Sequence, residues 1–256
     1  MENKQFLVFE TLQDGASKTF NNYFTLIKGF LFSVLAAAVV VAGVILVNWS
    51  LIVTVQDLFP SVQAIESCSG NIECQKALIA PLTDLIVNNG LIIFMSLVFL
   101  YIFFAAIWLG YTKYGLKVYD DNTATFQDMF PSLGQTVRFL VTCWVYILIV
   151  CFGLCLLVFP GIYWAIRFSF FRCAILDKNA GIFESLKASW YLTRGYGLKL
   201  WVLMILIMIL YSVSGFIPFS SIITMPLVLM IYVCAYRKLS LAHGVFKKGN
   251  ENSSHR

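Results

Sequence analysis

The chain reads as an all-α polytopic membrane protein. We expect six transmembrane helices arranged as three hairpins, each hairpin preceded by a cytoplasmic interfacial amphipathic helix. Three observations predict this. Sixty per cent of the 256 residues are apolar and 12% are charged, where a soluble domain carries about 25% charged residues. Apolar stretches recur at about 18 residues or more, the length that crosses a bilayer. Fifteen of the 18 Lys and Arg residues fall on one side of the membrane once those stretches are marked out, and this bias fixes orientation.

The first expected span covers residues 23–47, with Lys28 near its start and Trp49 just past its end. A long outer loop, 50–84, follows and holds Asp57, Glu66, Glu73, Asp84 and the single cation Lys76. The second span, 85–109, closes on Trp108, Tyr111 and Tyr114, amphipathic rings suited to the membrane–water boundary. The third covers 139–159 and ends at Pro160-Gly161, read as a sharp turn because Pro lacks a donor and Gly accepts positive φ. The fourth, 162–176, is short and contains Arg167 and Arg172. The fifth runs over 198–217, and Pro218 with Ser220-Ser221 forms the next turn. The sixth runs over 222–236 with Pro226 as a kink, and a tail, 237–256, follows. The whole chain, 1–256, is expected to form one integral membrane domain.

Six spans return both termini to the same side. Lys4, Lys18 and Lys28, then Lys113, Lys117 and Arg138, then Lys178, Lys187, Arg194 and Lys199, then Arg237, Lys238, Lys247, Lys248 and Arg256 all fall there. Short loops rich in Lys and Arg face the cytosol, so both termini are expected in the cytoplasm, with the protein multi-pass in a bacterial inner membrane. The net charge of +5 then reflects topology and contact with anionic lipid head groups. It does not indicate nucleic acid, which would want a soluble basic face. A cleavable signal peptide is not expected, because the first apolar stretch begins after residue 20 and is about 25 residues long, against about 7–15 in a signal sequence. Ala36-Ala37-Ala38 reads instead as close-packing surface for a neighbouring helix.

A cytoplasmic segment with one apolar stripe precedes each pair of spans. Phe6, Phe9, Leu12, Ala16 and Phe20 form the first stripe, Phe126, Met129, Phe130, Leu133 and Val137 the second, and Phe183, Leu186, Trp190 and Thr193 the third. Steps of three and four residues are helical, and such helices lie in the interface plane. Asn122 to Phe126 and Asn179 to Phe183 begin alike, each after an Asp.

Seven cysteines divide unevenly. Cys68 and Cys74 lie in the outer loop with Ser69-Gly70-Asn71 between them, and an oxidising compartment on that side would join them in a disulfide. Two free thiols are the alternative. Cys143, Cys151, Cys155, Cys173 and Cys234 fall within spans, where they read as packing material.

One stretch is similar to a known group. Phe159-Pro160-Gly161-Ile162, Arg167-Phe168-Ser169-Phe170, Ile175-Leu176-Asp177, Glu184 to Ser189 and Leu192 to Gly195 resemble the recognisable part of the YciC-like membrane proteins of bacteria. The same set includes the membrane domain attached to some glycerophosphoryl diester phosphodiesterases. The specific likeness covers roughly residues 125–200. It implies six spans, and it marks Pro160, Gly161, Asp177, Ser189 and Gly195 as motif positions. The hydrolase half of the two-part members is absent from this sequence, so no phosphodiesterase activity is carried over. The outer loop with its two cysteines departs from the group.

Arg167 and Arg172 are the candidate contacts for an anion or lipid. Arg167 sits about six residues from the expected outer turn, so roughly 9 Å deep at about 1.5 Å per residue. A cation at that depth either serves a site or snorkels to the boundary along a short span. Arg172 lies about 140° further round the helix and is placed to meet Asp177 or a lipid phosphate. No acidic residue falls inside an expected span, which argues against a proton-driven pump. Ser212, Ser214, Gly215, Ser220 and Ser221 could line a pore, or else pack and turn helices. Phosphate-loop, nucleophile-elbow and zinc-protease signatures are missing. His243 and His255 read as solvated tail residues, and Asp120-Asp121 as the cap of an interfacial helix. No cofactor and no metal site is expected. The sequence thus favours a non-catalytic, membrane-organising protein that contacts anionic lipid. A transporter or channel for a small or lipid-like substrate comes next, and a membrane-embedded lipid enzyme last. The sequence leaves a homo-oligomer or a membrane-protein partner open.

Overall fold

The computed structural model describes residues 8–49, 53, 72–121, 124–216 and 220–243. Among them no strand occurs. The helices in chain order are α1 (Val8–Asn21), α2 (Tyr23–Val47), α3 (Ile72–Asp121), a 3-10 turn (Phe126–Met129), α4 (Leu133–Leu156), α5 (Val158–Arg167), α6 (Phe171–Lys178), α7 (Ile182–Leu192), α8 (Gly197–Gly215) and α9 (Ser221–Ala242). Five of these, α2, α3, α4, α8 and α9, are long and apolar enough to cross a membrane.

By internal packing the chain divides into two compact units. In the unit Val34–Phe104, the later part of α2 and the earlier part of α3 turn apolar side chains such as Val39, Leu46, Leu91 and Leu97 outward. Lipid tails suit that surface, and one polar bond crosses it, from Asn48 Nδ2 to Ser96 Oγ at 3.1 Å.

The larger unit joins Met1–Ser33 to Ala105–Arg256 and is built around α9. Fourteen α9 residues are buried, and from Val228 to Arg237 they are consecutive and so lie on every side, the pattern of a helix enclosed by neighbours. Small residues bring those neighbours close. A Cβ on Gly15 of α1 would stand 2.9 Å from the Ile231 Cα, and one on Gly115 of α3 would stand 2.7 Å from Leu229 Cδ2. Gly29 of α2 lies against the Tyr114 ring, whose hydroxyl donates to the Thr25 carbonyl at 2.9 Å. Gly110 lies against the Met129 carbonyl.

Several expectations change. α3 begins at Ile72 and ends at Asp121, so part of the expected outer loop is helical. At about 75 Å by its rise per residue, the helix outruns a hydrocarbon core of about 30 Å. The turn after α4 falls at Leu157, whose extended backbone (φ −162°, ψ 146°) ends one helix and starts the next. Pro160-Gly161 therefore lies inside α5, in the first turn, where a missing N–H costs nothing. Gly161 and Gly153 let the two arms meet, since a Cβ on Gly153 would stand 2.9 Å from the Gly161 Cα.

The expected fourth span is two short helices, α5 and α6, separated at Phe168–Phe170. α9 runs on through Ala242, taking the first residues of the expected tail into the fold. The segment before α4 is one 3-10 turn, not an amphipathic helix, because Pro131 interrupts the run and Ser132 restarts it. Ser132 Oγ accepts from the Gln135 N–H at 3.3 Å, and Gln135 Oε1 accepts from the Ser132 N–H at 3.2 Å.

α1 is a helix as expected, but its buried face is Thr11, Gly15 and Thr19. Phe9 (77% exposed) and Phe20 (70%) point away from the protein. Of the loop cysteine pair, Cys68 lies outside the described residues, as do Pro218, His255 and the tail beyond His243, while Cys74 falls in the first turn of α3. Cys143, Cys151, Cys155, Cys173 and Cys234 are free.

Candidate functional site

The break between α5 and α6 gathers polar side chains from α7 and α9. Breaking a helix frees backbone donors and acceptors that lipid cannot satisfy. Here side chains from two other helices take them. Ser189 Oγ, on α7, donates to the Arg167 carbonyl at 2.9 Å and accepts from the Phe170 N–H at 3.1 Å. Thr193 Oγ1 also donates to the Arg167 carbonyl, at 3.2 Å. The Tyr232 hydroxyl, on α9, donates to the Ser169 carbonyl at 2.6 Å. Phe170 at the centre is fully buried, stacked on Tyr232 at 5.0 Å between ring centroids.

Arg167 closes α5. Its Nε and Nη2 donate to the Tyr163 hydroxyl at 2.9 and 2.6 Å. The guanidinium lies over the Trp190 ring at 4.9 Å and the Tyr163 ring at 5.0 Å, while Nη1 is buried with no hydrogen-bond partner among the described residues. Arg172, in the first turn of α6, lies between the Tyr232 ring at 4.9 Å and the Trp108 ring at 5.4 Å. It does not meet Asp177.

Asp177 is taken by α9 instead. Its Oδ1 pairs with Arg237 Nη1 at 3.0 Å, and its Oδ2 accepts from the Tyr236 hydroxyl at 3.0 Å. Arg237 also pairs with Asp120 at the end of α3. One guanidinium, 7% exposed, thus holds two carboxylates from two other helices. Asp120 closes a long helix; it does not cap an interfacial one. Two further pairs fasten the same end of the unit, Lys238 with Asp14 of α1 at 2.5 Å and Lys117 with Asp128 of the 3-10 turn at 2.8 Å. His243 is half-buried, its ring 5.3 Å from that of Tyr191 and 5.8 Å from that of Tyr196. It is not a solvated tail residue.

Each motif position now has a physical task. Pro160 and Gly161 shape the α4–α5 contact, Asp177 anchors α6 to α9, and Ser189 seals the break. Gly195 turns the chain at φ +85°, a backbone that side chains with a Cβ resist. Asn179 (φ 51°) ends α6, and its carbonyl and Oδ1 accept from Arg138 Nη1 at 2.8 and 3.0 Å. The serines at the α8–α9 junction bond to one another: Ser214 Oγ stands 2.7 Å from Ser220 Oγ, and Thr224 Oγ1 donates to Ser214 Oγ at 2.9 Å.

The pairing of Arg237 with Asp120 was missed at the level of sequence. A signal was present: Leu239 and Ala242 continue the apolar pattern beyond Arg237, which puts the arginine inside a helix and not after one.

These features define an all-helical protein with helices suited to a membrane and a broken helix fixed by buried hydroxyls and charges. No family model, no curated protein and no solved structure matches the chain.

Proposed function

We propose that this is a non-catalytic, membrane-organising protein that engages anionic lipid head groups from the cytoplasmic face of a bacterial inner membrane. In this reading the chain crosses six times as three hairpins, α5 and α6 together make the fourth crossing, and both termini are cytoplasmic. The likeness of the Pro160–Gly195 stretch to the YciC-like group supports the same topology. Contact with lipid is supported above all by the state of the cations on that face. Lys28, Lys178, Lys187 and Arg194 are exposed and form no ion pair among the described residues. Each such cation is worth about 1 kcal/mol near an anionic membrane surface.

The test is the thermal midpoint of the detergent-purified protein with phosphatidylglycerol or phosphatidylcholine added. Phosphatidylglycerol raises the midpoint, and a Lys178→Gln/Lys187→Gln/Arg194→Gln variant loses most of that rise. Equal effects of the two lipids on the wild type would sink the reading.

One observation favours a second reading, a conduit for a small or lipid-like anion. Broken helices line substrate sites in many carriers, and Arg167 stands at this break with a buried donor unused. Uptake into sealed vesicles, compared between wild type and Arg167→Ala, separates the two: a conduit loses flux in the variant.

A further inference from the structure

Half-buried Arg172 differs from buried Arg237 in having no carboxylate among the described residues. Among the described residues it forms no ion pair, and Asp177, the acid nearest in sequence, is held by Arg237 and Tyr236. What surrounds it is aromatic. Its guanidinium lies between the Trp108 and Tyr232 rings, and the phenols of Tyr146 and Tyr211 are within electrostatic reach. Ring faces attract the charge but accept no N–H bond, and the Tyr232 hydroxyl takes only part of the five that an arginine offers.

The neighbouring hydroxyls can donate as well as accept, and their own protons lack strong acceptors. Tyr111, one turn beyond Trp108 on α3 and close to Tyr211, has a buried hydroxyl with no hydrogen-bond partner among the described residues. The Tyr211 hydroxyl reaches only the Met225 thioether at 3.3 Å, a weak acceptor. Three helices therefore converge a cation and two under-used hydroxyls, and none of them brings a negative group.

We infer that Arg172, Tyr111 and Tyr211 form a site for a phosphate oxyanion inside the larger unit. The inference rests on the lipid-contacting reading above and assigns that reading a second, internal ligand position. An anionic oxygen would take N–H groups of Arg172 that Tyr232 does not occupy, as charge-assisted bonds, and give the Tyr111 hydroxyl its acceptor. Trp108 is 48% exposed on a helix suited to the membrane, so the site opens sideways, past an indole, toward lipid. That opening favours a phospholipid head group over free phosphate.

Native mass spectrometry of the full chain in detergent, titrated with phosphatidylglycerol, phosphatidylcholine and inorganic phosphate, tests this. Phosphatidylglycerol binds the wild type and phosphatidylcholine binds weakly. Arg172→Gln lowers phosphatidylglycerol affinity about tenfold, the scale of one charge-assisted contact. Tyr111→Phe, which removes one oxygen and keeps the ring, lowers it about fivefold through the lost hydroxyl bond. Inorganic phosphate that displaces the lipid assigns the free anion to the site, and failure to displace it assigns the head group. Wild-type affinity in both variants overturns the inference; should Arg172→Gln not fold, Tyr111→Phe alone decides. The Lys178/Lys187/Arg194 triple variant keeps the two readings apart. Tight binding lost in that variant but retained in Tyr111→Phe leaves surface contact standing and removes the internal site. The opposite pattern removes surface contact and keeps the internal site.

Discussion

At the scale of single residues, two side chains hold the larger unit in ways their identities alone do not announce. Ser189 supplies both an acceptor and a donor to the same helix break. A Ser189→Ala change leaves the Phe170 N–H without its acceptor in a buried place, at a cost of about 1–3 kcal/mol. Reversible unfolding in mixed micelles will register it as a lowered stability, with Ser185→Ala, whose hydroxyl bonds only within its own helix, as the milder control. Arg237 is the stronger case. Removing it as Arg237→Met strands the Asp120 and Asp177 carboxylates beside each other. Breaking a buried ion pair costs about 3–5 kcal/mol, and the low end applies because the Asp120 side chain is 39% exposed. Adding Asp120→Asn and Asp177→Asn to Arg237→Met should recover most of that loss in the same assay. A variant set in which the triple change is no more stable than the single one would show that the carboxylates are not the source of the penalty.

Elements were legible where periodicity and length were unambiguous. The apolar runs of α2, α4, α8 and α9 are long and uninterrupted, and the helices follow them closely. The reading lost ground where a residue type has two uses. Pro160-Gly161 reads as a turn from composition, yet Pro is equally at home in the first turn of a helix, and here Leu157 makes the bend. The run from 162 to 176 reads as one span because hydropathy does not see a break whose backbone groups are satisfied by α7 and α9. The phenylalanine stripe of α1 reads as a face for the acyl boundary, and hydropathy says nothing of the face that docks on the protein, which is small and polar. That last point is testable. Gly15→Leu places a side chain where Ile231 already stands, at 2.8 Å from even a bare Cβ, and overpacking of this kind costs about 1–3 kcal/mol. α1 should then detach while the rest of the fold persists, seen as faster labelling of a cysteine introduced at Thr11 with no large change in overall helicity.

At the scale of the molecule, the all-helical class with long apolar helices was clear from composition and hydropathy. The ion pairs were not, because Asp120 and Asp177 stand 57 positions apart in the chain, each far from Arg237, and only the packing of α3 and α6 on α9 brings the three together. The same holds for the Arg172 surroundings, which draw on α3, α4, α6, α8 and α9. Because α9 supplies the enclosed centre of its unit and the partner of both acids, everything else in that unit leans on a helix the ribosome makes after all its neighbours. On the membrane-spanning reading, the earlier helices enter the bilayer with two carboxylates uncompensated and a gap where α9 will stand. A chain stopped before Ser221 should therefore reach the membrane yet be cleared by quality-control proteases. Supplying residues 220–256 as a separate polypeptide in the same cell should restore its lifetime.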